Sequence, residues 1–182
     1  AGVLDAAAAA SVARLAGASS AAIQEGLAAY AVAGHRGAVV HEHGGVAYID
    51  NSKATNPHAA DVALKGLNSV VWIAGGQLKG AEVDGLVAKH AAHIKAAVVL
   101  GADRQEIAQA LAEHAPHAPV DVIESNDPAA AMNAAVDAAL QHAEAGDTVL
   151  LAPAAASLDM YTGMAQRGDL FAAAARDIAR AH

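Results

Sequence analysis

The chain has 182 residues, a formal net charge of −8 with its ten histidines neutral, 55% hydrophobic residues and only 3% aromatics. That length fits one domain, or one domain with a piece of another, and it is enough to bury a core. The acidic balance argues against a nucleic-acid binder, which needs a basic stripe; no apolar run reaches the ~18 residues of a membrane span; and zero cysteines exclude disulfides, thiolate nucleophiles and Cys-ligated zinc.

The 54 alanines make much of the apolar content small and strongly helix-forming. Residues 3–16 read as a helix ended by Gly17, and 21–32 as a second one capped by Ser19 or Ser20. The chain opens at Ala1 inside this helical pattern, with no initiator Met and no signal-peptide pattern, which reads as a cut. Gly34-His35-Arg36-Gly37 breaks the pattern, and β-branched residues follow. Segments 38–42 and 46–50 read as a hairpin joined through His43-Gly44-Gly45. A helix is expected after Asn56-Pro57, with the proline in its first turn. Beyond it, strands at 70–74, 96–100, 120–123 and 148–152 alternate with helices at 81–92, 103–114, 127–144 and 163–181. Short apolar strands separated by helices imply crossovers. The expected fold is therefore α/β and Rossmann-like in three layers, with six mostly parallel strands and one antiparallel strand from the N-terminal hairpin.

Ligands of such sheets bind beyond the carboxyl ends of the strands. There, Asp50-Asn51-Ser52-Lys53-Ala54-Thr55-Asn56 brings a lysine, hydroxyls and amides to a helix start, a setting that suits an anion or a simple capping turn. Gly75-Gly76-Gln77-Leu78-Lys79-Gly80 lets backbone approach a ligand while Lys79 clamps a carboxylate, or it is an ordinary strand-to-helix turn. It lacks the spacing of a Walker A loop. After the last strand, Ser157 caps a helix or accepts a ligand, but no nucleophile elbow surrounds it. Gln166-Arg167-Gly168-Asp169 either orients this loop or is a solvated turn. His41 and His43, on one side of a strand, and His90 and His93, at i, i+3, lack a third metal ligand and read as surface histidines, so no metal site is expected.

In chain order, His-Arg, Asp-Asn-Ser-Lys-Ala-Thr-Asn, Gly-Gly-x-x-Lys-Gly, Gly-x-Asp-Arg, Pro-Ala-x-Ala-Ser-x-Asp and Gln-Arg-Gly-x-x-Phe together are far more specific than any one alone. This series resembles the C-terminal domain of the Mur ligases of peptidoglycan synthesis, specifically those that add D-glutamate. The resemblance covers residues 35–182; residues 1–34 look like the last helices of that family's central ATPase domain and the hinge. It implies a cytoplasmic, monomeric enzyme that uses ATP and Mg2+, bound mainly by the central domain. Its reaction would join D-glutamate to UDP-N-acetylmuramoyl-L-alanine through an acyl phosphate, with no nucleic-acid or membrane partner.

Carried over residue by residue, the resemblance makes Thr55 and Lys79 ligands of the D-glutamate α-carboxylate. Ser157, with the Leu158 backbone beside it, would bind the side-chain carboxylate. Lys53 would face the phosphate end of the cleft as the catalytic cation. Arg36, with His35 before it, and Asn51 would contact the nucleotide. The chain departs from the family pattern at Asn51, where an Asp is usual, at Gly2 and Asp5, where two asparagines are usual, and at Met164, where an aromatic is usual. No phosphate-binding Gly-Lys-Ser/Thr loop and no sugar-nucleotide domain lie within these residues, so the chain alone is not expected to run the full reaction. The alternative that fits the departures is a non-catalytic binding or regulatory module diverged from the ligase.

Overall fold

A computed structural model describes residues 2–30 and 34–181. The chain divides into two compact units, split between residues 33 and 34. The first holds α1 (Gly2–Leu15) and α2 (Ser20–Ala29). Ser19 caps α2, its hydroxyl accepting from the Ala22 amide at 3.1 Å. The helix expected to reach residue 32 ends at Ala29; residues 31–33 lie outside the described ones.

The second unit is an α/β sandwich. Its strands are β1 (Ala38–His43), β2 (Val46–Asp50), β3 (Val70–Gly75), β4 (Ile94–Leu100), β5 (Val120–Val122) and β6 (Thr148–Leu151). The helices are α3 (Pro57–Leu64), α4 (Asp84–His90), α5 (Arg104–His114), α6 (Pro128–His142) and α7 (Met164–Ala181), with a 3-10 turn at Ala91–His93. One sheet has the order β1-β2-β6-β3-β4-β5. β1 pairs antiparallel with β2, and every other pairing is parallel, as the hairpin and crossovers predicted.

Alternation along the strands makes two cores. Val70, Trp72 and Ala74 face one side with Leu64, Val87, Ile107 and Leu111 of α3, α4 and α5. Val71 and Ile73 face the other with Met132, Val136, Phe171 and Ile178 of α6 and α7. Both faces of β3 are covered, which is why its run Val-Val-Trp-Ile-Ala is uniformly apolar. Trp72 is fully buried, and its indole N–H donates to the Ala152 carbonyl at 2.8 Å.

Two expectations need correction. The helix predicted from residue 81 starts at Asp84. Leu78 and Val83 are both buried in the core, so the chain arches between two anchors before the helix begins. His90, expected at the surface, is only 4% exposed, and its Nε2 lies 2.6 Å from Asp61 Oδ1 where α3 meets α4. With Lys89 also bonded to it, the Asp61 carboxyl is held down to about 2, first by Lys89 and then by His90. His41 and His43 do share one side of β1, their rings stacked 6.1 Å apart.

Candidate functional site

The chain runs outward through β3, β4 and β5 and returns to insert β6 between β2 and β3. Connections therefore switch faces beside β6, and the loops after β2, β3 and β6 meet at that switch point.

The first loop is shaped by its start and end. Asn56 accepts from the Ala59 amide at 2.9 Å and caps α3, with Pro57 in the first turn. Asp50 is 2% exposed and turned inward: Oδ1 accepts from the Ser52 amide at 2.9 Å, and Oδ2 lies 2.6 Å from His35 Nδ1. The Lys53 amide donates to the His35 carbonyl at 3.1 Å, so the segment before β1 and the loop after β2 form one piece. Gly168 lies against this pair, because a Cβ there would overlap the His35 ring.

The second and third loops are joined as a miniature ladder. Gln77 and Ala156 exchange both backbone hydrogen bonds at 2.8 Å, and the Gly75 amide donates to the Pro153 carbonyl at 2.8 Å. Gly76, at φ 126°, sits where a Cβ would drive into the Ala156 carbonyl, so glycine is required for the loops to touch. Ser157 caps no helix, since α7 begins at Met164; its carbonyl accepts from the Met160 and Tyr161 amides in a tight turn.

Arg167 binds all three loops together. It is 1% exposed. Nε donates to Ser52 Oγ at 3.0 Å and Nη2 to the Ser52 carbonyl at 2.9 Å; Nη1 donates to the Gly75 and Ala155 carbonyls, each at 3.2 Å. Ser52 Oγ in turn donates to the Met164 carbonyl at 2.7 Å. Burial pulls the guanidinium down to about 10, against the pull of Tyr161, Asp159 and Asp50, so it remains a cation at neutral pH. Burial likewise pushes the nearby Tyr161 hydroxyl up to about 12. Asp159 adds a fourth loop: its Oδ2 accepts from the Ala102 amide at 2.8 Å, after β4.

This framework carries the residues predicted from sequence. Thr55 is half-buried three residues after Ser52, Lys79 is exposed two residues after Gln77, and the 4%-exposed Ser157 directly follows Ala156. Leu158 beside it is 65% exposed. Arg36 and Lys53 are exposed, and Asn51 and His35 half-buried, on the β2 side. Among the described residues, Arg36, Lys53 and Lys79 make no ion pair, whereas Lys89, Lys95 and Arg104 do. Among the described residues, the non-glycine ones with positive φ are His35 (64°), Lys79 (56°) and Ala154 (60°), one in each of three segments that meet here. Strained backbone of this kind clusters at functional sites.

Sequence reasoning left open what Arg167 does, although it stands four and eight residues before Phe171 and Ala175, on the apolar stripe of α7. A cation on such a stripe is the signal. The structural roles of Asp50, Asp103 and Asp159 had no comparable mark. A separate group of possible metal ligands, Asp84, Glu113 and His114, lies largely exposed on α4 and α5.

Residues 35–155 match the family described as Mur ligase, glutamate ligase domain. The chain belongs to this family. It is 64% identical over 174 residues to the UDP-N-acetylmuramoylalanine--D-glutamate ligase of Corynebacterium efficiens, covering 96% of this chain and 37% of that protein. It is 51% identical to the Streptomyces coelicolor protein of the same name, again over 37% of its length. The chain thus spans a little over a third of these curated relatives. Among solved structures, MurC from Thermotoga maritima aligns with TM-score 0.62 at 16% identity, covering 99% of this chain and 37% of MurC. MurF from Acinetobacter baumannii aligns with TM-score 0.59 at 18% identity, over 91% of this chain and 36% of MurF. At such identities the likeness is one of fold, and it extends to Mur ligases with different names. No helix among the described residues is long and apolar enough to cross a membrane.

Proposed function

We propose that residues 35–182 form the D-glutamate-binding domain of an ATP-dependent ligase that extends UDP-N-acetylmuramoyl-L-alanine in the cytoplasm. Residues 1–34 are the closing helices and hinge of its central domain, and the enzyme works as a monomer. The reading rests chiefly on one observation: Arg167 and the Gln77–Ala156 ladder draw together the loops bearing Thr55, Lys79 and Ser157. D-Glutamate has two carboxylates and one ammonium. Lys79 and Thr55 take its α-carboxylate, and Ser157 with the Leu158 amide takes the side-chain carboxylate. Clamping both ends would hold the amine in one place for attack.

ATP, with Mg2+, supplies the phosphoryl group that activates the substrate carboxylate as an acyl phosphate. The donors on the β2 side fit such a polyanion, since Arg36 and Lys53 are exposed cations without carboxylate partners among the described residues. Arg36 and Lys53 contact the phosphates or the activated carboxylate, Asn51 accepts from the ribose, and His35 is braced by Asp50 next to Arg36. Once the ammonium has lost a proton to solvent, the amine attacks the acyl carbon, the C–O bond to phosphate breaks, inorganic phosphate leaves, and the nitrogen sheds a second proton to give the amide. Closure of this domain over its partner would exclude water from the acyl phosphate.

Nuclear magnetic resonance titration of the chain with D- and L-glutamate tests the reading. D-Glutamate should shift amides in residues 51–56, 75–80 and 153–160, with affinity on the millimolar scale, about 4 kcal/mol. Equal responses to both enantiomers, or none in these loops, would refute it.

A further inference from the structure

We propose that Asp103 is a positioning residue that sets the backbone of Lys79; its consequence for D-glutamate rests on the function proposed above. An aspartate directly before a helix is expected to cap it. Asn56 and Asp127 do so at α3 and α6, accepting from the Ala59 and Ala130 amides at 2.9 and 2.8 Å. Asp103 holds the same place before α5, yet its side chain makes no cap bond. Its Oδ2 accepts instead from the Leu78 amide in the neighbouring loop at 2.7 Å, while its own amide donates to the Gly76 carbonyl at 2.9 Å.

Three successive residues before Lys79 are thereby gripped. Gly76 is held through its carbonyl by Asp103, Gln77 through both backbone groups by Ala156, and Leu78 through its amide by the Asp103 carboxylate. The Leu78 side chain is buried in the α3–α4–α5 core, so this residue is fixed at both ends. The next residue is Lys79, with φ 56° and an exposed side chain. That conformation is uncommon for a lysine; here Lys79 and Gly80 (φ 78°) form a turn closed by the Ala81 amide donating to the Leu78 carbonyl at 3.1 Å, so the grip on Leu78 fixes the residue from which the turn starts. The carboxylate is the charged member of this grip, and a charge-assisted bond to an amide is the strong kind. Its base is rigid, because Ile107 and Leu111 of α5 are fully buried.

Asp103→Ser and Asp103→Asn separate this role from helix capping. Serine caps a helix well but falls short of the Leu78 amide, whereas asparagine keeps a side-chain oxygen at the required length. In Asp103→Ser, hydrogen exchange at the Leu78 amide should quicken about tenfold or more and the Lys79 backbone coupling should change, with Ile107 and Leu111 still protected. Asp103→Asn, which keeps the oxygen but not its charge, should restore most of both readouts. D-Glutamate affinity should fall about tenfold in the serine variant and recover in the asparagine variant. Unchanged Leu78 exchange and Lys79 coupling in Asp103→Ser would overturn the proposal, as would undiminished D-glutamate binding by that variant when wild type binds. If wild type ignores D-glutamate while the exchange and coupling results hold, the positioning of Lys79 stands and the ligand reading falls.

Discussion

The two ends of the sheet treat charge differently. At the amino ends of the strands, Lys95 meets two carboxylates, Asp147 at 2.7 Å and Glu144 at 3.0 Å, and Asp147 also accepts from the Glu144 amide at 2.8 Å. Burial alone would raise the Asp147 carboxyl, but bonds from Lys95, Ser69 and the Glu144 amide outweigh it and hold it below the ordinary value of 3.8. The same carboxylates hold Lys95 above its usual value. At the carboxyl ends, the central cation Arg167 bonds only carbonyls and a hydroxyl. Asp50 turns to His35, and Asp103 and Asp159 turn to backbone amides. Asp50, Asp103 and Asp159 are thus committed to holding loops, Glu124 pairs with Arg104 at 2.8 Å, and, among the described residues, the exposed Arg36, Lys53 and Lys79 make no ion pair. At one end Lys95 is balanced by two carboxylates; at the other, three exposed cations have no carboxylate partner among the described residues.

Breaking the carboxyl end at its centre should have the largest effect. Arg167→Met leaves three carbonyl groups and the Ser52 hydroxyl without their donor in a site closed to water. We expect a loss of about 3–5 kcal/mol in chemical denaturation. Arg167→Lys should recover only part of it, since one ammonium cannot span the fork's acceptors. Next comes Gly76→Ala, which places a methyl group against the Ala156 carbonyl at a positive φ. A cost of about 2–3 kcal/mol is expected, with broadened amide resonances at Gln77 and Ala156.

Asp147→Asn probes the balanced end. Because the folded-state carboxyl lies below its unfolded value, its contribution is present above pH ~4 and fades as pH falls through the folded value. The variant should lose about 1–2 kcal/mol at pH 7. The gap to wild type should close progressively in denaturation series taken below pH 4; a constant gap would contradict the assignment. The smallest stability change should come from Lys79→Ala, within about 0.5 kcal/mol, because its side chain is exposed and unpaired. That variant sharpens the contrast: D-glutamate binding should fall well beyond the change in Lys65→Ala, an exposed lysine on another loop. Equal losses would remove Lys79 from the site.

Much of this architecture could be read from residues near one another in the chain. Asn56-Pro57 starts a helix through local hydrogen bonding, and Val70–Ala74 is apolar throughout because both its faces are covered. Thr55, Lys79 and Ser157 were legible as candidates because strand ends in such a sheet point one way. The grip on those loops was not. Asp103 looks like a helix cap and is a tether; His90 looks like a surface histidine and is buried against Asp61. Each depends on a partner 25 to 29 positions away, and local sequence does not specify which of several available amides or carboxylates will arrive.

Periodicity, turn chemistry and capping residues act over a few residues, so the order of strands and helices, the hairpin and the polar character of the strand-end loops are written in the chain itself. The insertion of β6 between β2 and β3 is a long-range event. It brings Ala155 and Ala156 beside Gly75 and Gln77 and seats Arg167, 115 positions from Ser52, among three loops. Only that packing decides that a helix cation becomes a buried clamp, because its acceptors do not exist as a group until the sheet has closed around them.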